Sequence, residues 1–184
     1  HVFGLANTFD FKGFDITVFL QGMAGNQVFN WTRRSMESMK GTNNQLATVL
    51  NAYNPEDVYL ETDHGTFLVA EQNVDGDLPR MTLTDHNNNT RLSDRYVEDA
   101  SFLKLQTITL GYSVPQSALN ALKMQSLRIY ITGTNLYTLT AYSGYEPEHG
   151  ALFNSENNNG LLNGIDLGNY PIPRSVIAGI NVKF

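Results

Sequence analysis

The sequence predicts an all-β fold: a transmembrane antiparallel β-barrel, represented by five wall strands and two long extracellular loops. Three observations lead there. Five segments alternate apolar and polar side chains at period two. Their connections run tight, long, short and long, so the short ones fall on one side of the sheet and the long ones on the other. The last segment has one wholly apolar face and closes on the aromatic Phe184, which suits a strand whose outward face meets lipid and whose end meets the water interface.

Strand 2–11 sets Phe3, Leu5, Phe9 and Phe11 against Gly4, Ala6, Thr8 and Asp10. Lys12-Gly13 supplies a tight turn. Strand 14–24 sets Phe14, Ile16, Val18, Leu20, Gly22 and Ala24 against Asp15, Thr17, Phe19, Gln21 and Met23. Over residues 25–100 the alternation fails. Short helices are expected within Asn26–Met39 and within Gln45–Tyr53, the second stopped by Asn54-Pro55. Asn87-Asn88-Asn89 reads as a polar break. A mostly irregular stretch of this length is foreign to a compact soluble domain and expected of a barrel's outer loop.

Strand 101–114 keeps Ile108, Leu110, Tyr112 and Val114 in phase. Leu103 and Leu105 are out of phase with them, which requires a bulge or a change of face. Pro115 ends the strand and 116–124 is a short connector. Strand 126–142 sets Leu127, Ile129, Ile131, Gly133, Tyr137, Leu139 and Ala141 against Arg128, Tyr130, Thr132, Thr134, Thr138 and Thr140. The second long loop, 143–170, is rich in Asn and Gly. Strand 174–184 sets Val176, Ala178, Ile180, Val182 and Phe184 against Ser175, Ile177, Gly179, Asn181 and Lys183. Five strands are too few to enclose a lumen, and single-chain bacterial barrels have even strand numbers. Most of the wall is therefore expected outside this chain, which starts at His1 inside a strand and reads as a fragment of a longer mature protein.

Composition bounds the function. The 184 residues suffice for one domain, and 41% apolar with 16% charged side chains excludes a disordered chain. No apolar run approaches the roughly 18 residues of a membrane helix, which says nothing against spanning strands. The absence of cysteine excludes thiol catalysis and disulfides. Residues 54–99 hold eleven acids against three bases. An acidic middle argues against nucleic acid as a partner and suits a solvated loop.

No catalytic constellation is expected. His1, His64, His86 and His149 are scattered through polar stretches, and no spacing suggests a hydrolytic triad. Asp75-Gly76-Asp77 resembles half of a calcium loop, but Leu78-Pro79-Arg80 breaks the ligand register, leaving a turn and no metal or cofactor site. Asn30-Trp31-Thr32 and Asn88-Asn89-Thr90 are formal glycosylation sequons without weight in a bacterial outer membrane. Trp31, Tyr53 and Tyr59 offer aromatic faces for sugar rings or peptides, and Arg33 offers hydrogen bonds, so these four are candidate ligand contacts. Loop packing is the plainer reading of each. Tyr112, Tyr130, Tyr137 and Tyr142 are expected to divide between the interfacial girdles and the lumen wall.

Several runs carry a family resemblance. In order they are Arg91 to Leu105, Thr109 to Pro115, Leu127 to Tyr130, Gly133 to Leu136, Tyr142 to Glu148, Tyr170 to Arg174, and the terminal Phe184. This series resembles the C-terminal barrel portion of SusC/RagA-type TonB-dependent outer-membrane transporters. Phe14-Asp15, Gln21-Gly22, Val28-Phe29-Asn30 and Asp77-Leu78-Pro79-Arg80 look like the same family. Glu146-Pro147-Glu148 stands where the family often has Asp-Pro-Glu, and the acidic stretch from Asn51 to Asp77 matches no family feature. The resemblance implies a 22-stranded barrel in outer-membrane lipid, with an N-terminal plug upstream of His1 that couples to the TonB complex. It also implies a SusD-like lipoprotein lid and a cargo of oligosaccharides or oligopeptides. Competing readings are a passive porin-like barrel and a soluble carbohydrate-binding β-sandwich, whose strands alternate as well.

Overall fold

The structure, a computed structural model, describes residues 1–38, 44–80, 84–148 and 164–184. Met39, His149 and most of the second long loop lie outside the described residues. In chain order the elements are β1 (Val2–Phe11), β2 (Phe14–Met23), β3 (Gln27–Asn30), α1 (Trp31–Met36) and a 3-10 turn (Ala47–Asn51). There follow β4 (Val58–Thr62), β5 (Gly65–Ala70), a second 3-10 turn (Asp94–Tyr96), β6 (Val97–Asp99) and β7 (Phe102–Ser113). The last are α2 (Gln116–Leu122), β8 (Ser126–Thr140), β9 (Ile165–Asp166) and β10 (Ser175–Lys183). Two compact units share the chain: His1–Val28 with Glu98–Gly164 and Asn169–Phe184, and Phe29–Val97 with Ile165–Gly168.

The first unit is built on a five-stranded sheet of order β1-β2-β7-β8-β10, antiparallel at every pair. Lys12 and Gly13 both take positive φ, 49° and 88°. That geometry suits a two-residue turn whose twist matches the strands it joins. Pairing settles the phase that the sequence leaves open in β7. The register shifts between Leu105 and Thr107: against β2, where Phe19 and Leu20 are consecutive, Gln106 is an extra residue, and against β8 it stands opposite two residues, Asn135 and Leu136. This bulge puts Leu103 and Leu105, opposite Leu139 and Tyr137, on the same face as Ile108, Leu110 and Tyr112, opposite Gly133, Ile131 and Ile129.

The sheet consequently has two faces of different chemistry. The outer face carries Phe3, Leu5, Phe9, Ile16, Leu110, Ile129, Ile131, Leu139, Val176 and Ile180, all exposed. Phe14 and Tyr112 stack on it near the Lys12-Gly13 turn, with ring centroids 4.6 Å apart. The inner face is polar. Hydroxyls meet across strands at Thr8 and Thr17 (3.1 Å) and at Thr109 and Thr132 (2.9 Å). Tyr130 points inward and lies over Gly179. Tyr142 joins neither girdle nor lumen wall; it is buried with Val28 and Ala100 at the loop end of this unit.

The second unit departs from the expected irregular loop. The Asn26–Met39 window holds β3 and then only a six-residue helix, started by the Asn30 side chain, which accepts from Arg33 N at 2.8 Å. β9 pairs with β3 in parallel, Phe29 opposite Ile165 and Asn30 opposite Asp166. The Gln45–Tyr53 window gives a 3-10 turn instead of an α-helix. It lacks a side-chain cap, and β-branched Thr48 and Val49 are poor helix formers. β4 and β5 form an antiparallel hairpin with a bulge near its base. Its strands are apolar on both faces, so they show no alternation in the sequence.

Candidate functional site

The site follows from a mismatch in strand length. The last residue of β8 paired with β10 is Thr134, opposite Ser175, whereas β8 continues to Thr140. Upstream of Ser175 the chain contains Pro171 and Pro173, which have no N–H to donate and cannot extend a ladder. Asn135, held at φ 52°, instead donates its side-chain amide to Pro173 O at 3.3 Å. The unpaired end of β8 and the segments 145–147 and 171–174 enclose a cleft of about 250 Å³.

One wall of the cleft is a buried ionic latch. Lys104, on the inner face of β7 and 1% exposed, donates to Glu146 Oε1 at 3.0 Å and to Glu148 Oε2 at 2.7 Å. Gln21 of β2 donates to the other oxygen of Glu148 at 3.2 Å. Glu146 also accepts the backbone N–H of Glu148 and of Ile172, each at 3.4 Å. A buried charge is tolerated only when paired and hydrogen-bonded, and here one ammonium neutralises part of two carboxylates. The latch ties the Tyr142–Glu148 motif and the Pro171–Arg174 motif to one side chain of the sheet. The groups left free in the cleft are Arg174, which has no carboxylate partner among the described residues, and the exposed Tyr145.

The sequence-derived ligand candidates all lie in the second unit. Trp31 opens α1, partly exposed, with the Arg34 guanidinium 4.4 Å from its ring and Phe29 6.2 Å away. Arg33 donates through Nε to Glu37 at 2.8 Å. Tyr53 follows the first 3-10 turn and gives its N–H to Leu78 O at 2.8 Å. Tyr59 is in β4, exposed, and its hydroxyl donates to Asp57 at 3.2 Å. The Asp57 charge, helped by that hydrogen bond, pushes the Tyr59 phenol above its ordinary range. Trp31 and Arg33 share a helix; Tyr53 and Tyr59 stand on other segments. Phe184 follows β10 and is exposed. Sequence reasoning missed Lys104. The available signal was a lone cation inside Phe102-Leu103-Lys104-Leu105, a run otherwise apolar.

Comparison with known proteins bears on this geometry. No protein-family model matches the chain. It is 32% identical over 183 residues to TonB-dependent receptor P3 of Formosa agariphila, covering 98% of this chain and 16% of the receptor. It is 31% identical over 98 residues to TonB-dependent receptor SusC of Bacteroides thetaiotaomicron, covering 50% of this chain and 8% of SusC. A solved structure of the RagAB peptide transporter superposes with a TM-score of 0.74 at 23% sequence identity, over 98% of this chain and 17% of that one. The fold is therefore shared, and the chain spans about a sixth of the length of the proteins it matches end to end. With its apolar outer face, polar inner face and receptor relatives along its whole length, the chain belongs to the SusC/RagA-type TonB-dependent receptors.

Proposed function

We propose that these residues form the C-terminal wall strands and outer loops of a 22-stranded outer-membrane barrel that imports oligosaccharides or oligopeptides. In this reading an N-terminal plug outside the chain couples import to TonB, and a SusD-like lipoprotein covers the mouth. The observation that carries it is the register-locked sheet: a continuous apolar outer face, a hydroxyl-rich inner face, and both long connections leaving from one end. The named relatives support the same reading, since they are TonB-dependent receptors and one solved relative is a peptide transporter. Trp31, Arg33, Tyr53 and Tyr59 are proposed to meet cargo or lid from the loop side. The exposure of the three aromatics supports this, while Arg33 shares its guanidinium with Glu37.

The test is uptake of labelled oligosaccharide and oligopeptide pools by cells carrying the full-length protein, with TonB intact or deleted. Uptake of one pool that disappears without TonB is expected. Uptake that persists without TonB would establish the passive porin reading, and uptake of neither pool would overturn import of these cargo classes.

A further inference from the structure

The β4–β5 hairpin presents apolar side chains to solvent on both faces. By register Val58, Leu60 and Phe67 share one face, and Tyr59 and Leu68 the other. All five are exposed, as is every residue from 56 to 72. A lone two-stranded hairpin is marginal in water, and a contiguous exposed apolar patch marks an interaction site. The stem is nevertheless fastened. Asn54 and Asn73 exchange backbone hydrogen bonds, both 2.8 Å. Gln72 donates its N–H to Asp57 and its side-chain amide to Pro55 O, both at 2.7 Å. Asn51 donates to Asp77 at 2.8 Å. The apolar strands are thus held out on an ordered base, which lowers the entropy lost when they dock.

Charge selects the occupant. Glu56, Asp57, Glu61, Asp63, Glu71, Asp75 and Asp77 surround the apolar residues, and no Lys or Arg occurs between residues 41 and 79. An apolar centre with a charged rim is the anatomy of a protein interface. An anionic lipid surface would repel this rim. So would the same hairpin of a second copy, where acid would face acid.

We infer that the β4–β5 hairpin is a docking arm for the surface lipoprotein, seating Leu60 and Phe67 in an apolar groove rimmed by Lys and Arg. This rests on the lid reading given under the proposed function. The acidic rim speeds encounter and makes association salt-sensitive, while the apolar residues set the lifetime of the complex.

The experiment uses the full-length transporter co-expressed with its tagged lipoprotein. A photo-crosslinking residue is placed at Phe67 or at Tyr59, and at Lys12 as a control. A lipoprotein adduct from a hairpin position and none from Lys12 is expected. Leu60→Asp with Phe67→Asp should lower lipoprotein recovery about tenfold or more, because truncated apolar anchors dominate interface energetics. The conservative Phe67→Leu should keep it, with equal barrel in the membrane throughout. Adducts only within the transporter or to a second copy would overturn the inference, as would full recovery with the double Asp variant. If the unmodified transporter recovers no lipoprotein, the lid reading falls as well.

Discussion

Arg128 on β8 and Asp15 on β2 form a two-pronged ion pair across the strand that separates them. Nε reaches Oδ1 at 3.0 Å and Nη2 reaches Oδ2 at 2.5 Å. β7 runs between β2 and β8, and the pair passes over it at Gly111, where an added Cβ would collide with both side chains. The pair spans three strands on the polar face, and it keeps this geometry because Gly111 has no side chain to displace it.

Gly111→Val is accordingly expected to force the pair apart and destabilise the folded full-length barrel by about 1–3 kcal/mol, the usual range for overpacking. Denaturant unfolding in lipid vesicles measures this. If Gly111→Val and the wild type unfold at the same denaturant concentration, the crossing pair has no structural role.

The phase of β10 makes a second expectation. Val176, Ala178, Ile180 and Val182 share the outer face, opposite Gly133, Ile131, Ile129 and Leu127 of β8, while Asn181 pairs with Arg128 on the inner face. Ile180→Arg should cost roughly 2–4 kcal/mol near mid-membrane, and Asn181→Arg much less. Folded yield in lipid is the readout, and equal losses at the two positions would refute the assignment of faces.

The Lys104 latch can be tested by unbalancing it. Lys104→Met leaves Glu146 and Glu148 beside an apolar side chain, and breaking a buried pair in this way typically costs about 3–5 kcal/mol. Lys104→Met combined with Glu146→Gln and Glu148→Gln removes all three charges and should recover much of that loss. The measurements are unfolding in lipid and protease sensitivity of segment 142–148. A single variant as stable as wild type, with that segment equally protected, would mean that the latch holds nothing.

Sidedness is the fourth expectation. The Lys12-Gly13 turn and the connector containing α2 join strands at one end of the sheet, and the long connections leave from the other. Protease added to intact cells should cut within residues 84–90 when the lid is absent and should spare both short connections. Cleavage at Lys12-Gly13 under the same conditions would turn the barrel the other way up.

Much of the sheet was legible in the sequence because its cause is local. A strand with lipid on one face and polar surroundings on the other must alternate, so the phases of β1, β2, β8 and β10 can be read residue by residue. The Lys12-Gly13 turn is equally local, since two consecutive positive φ angles leave few residue choices. Other features depend on partners remote in sequence. The shift in β7 had two local solutions, a bulge or a change of face, and only pairing with β2 and β8 placed the irregularity at Gln106. The β4–β5 hairpin stayed hidden because neither of its faces is buried in the unit, so nothing imposed alternation on it. The latch joins Lys104 to Glu146 and Glu148, separated by 42 and 44 residues. No periodicity reports a pairing at that distance; it forms because the loop after β8 returns over the inner face and brings its carboxylates to Lys104 of β7 and Gln21 of β2.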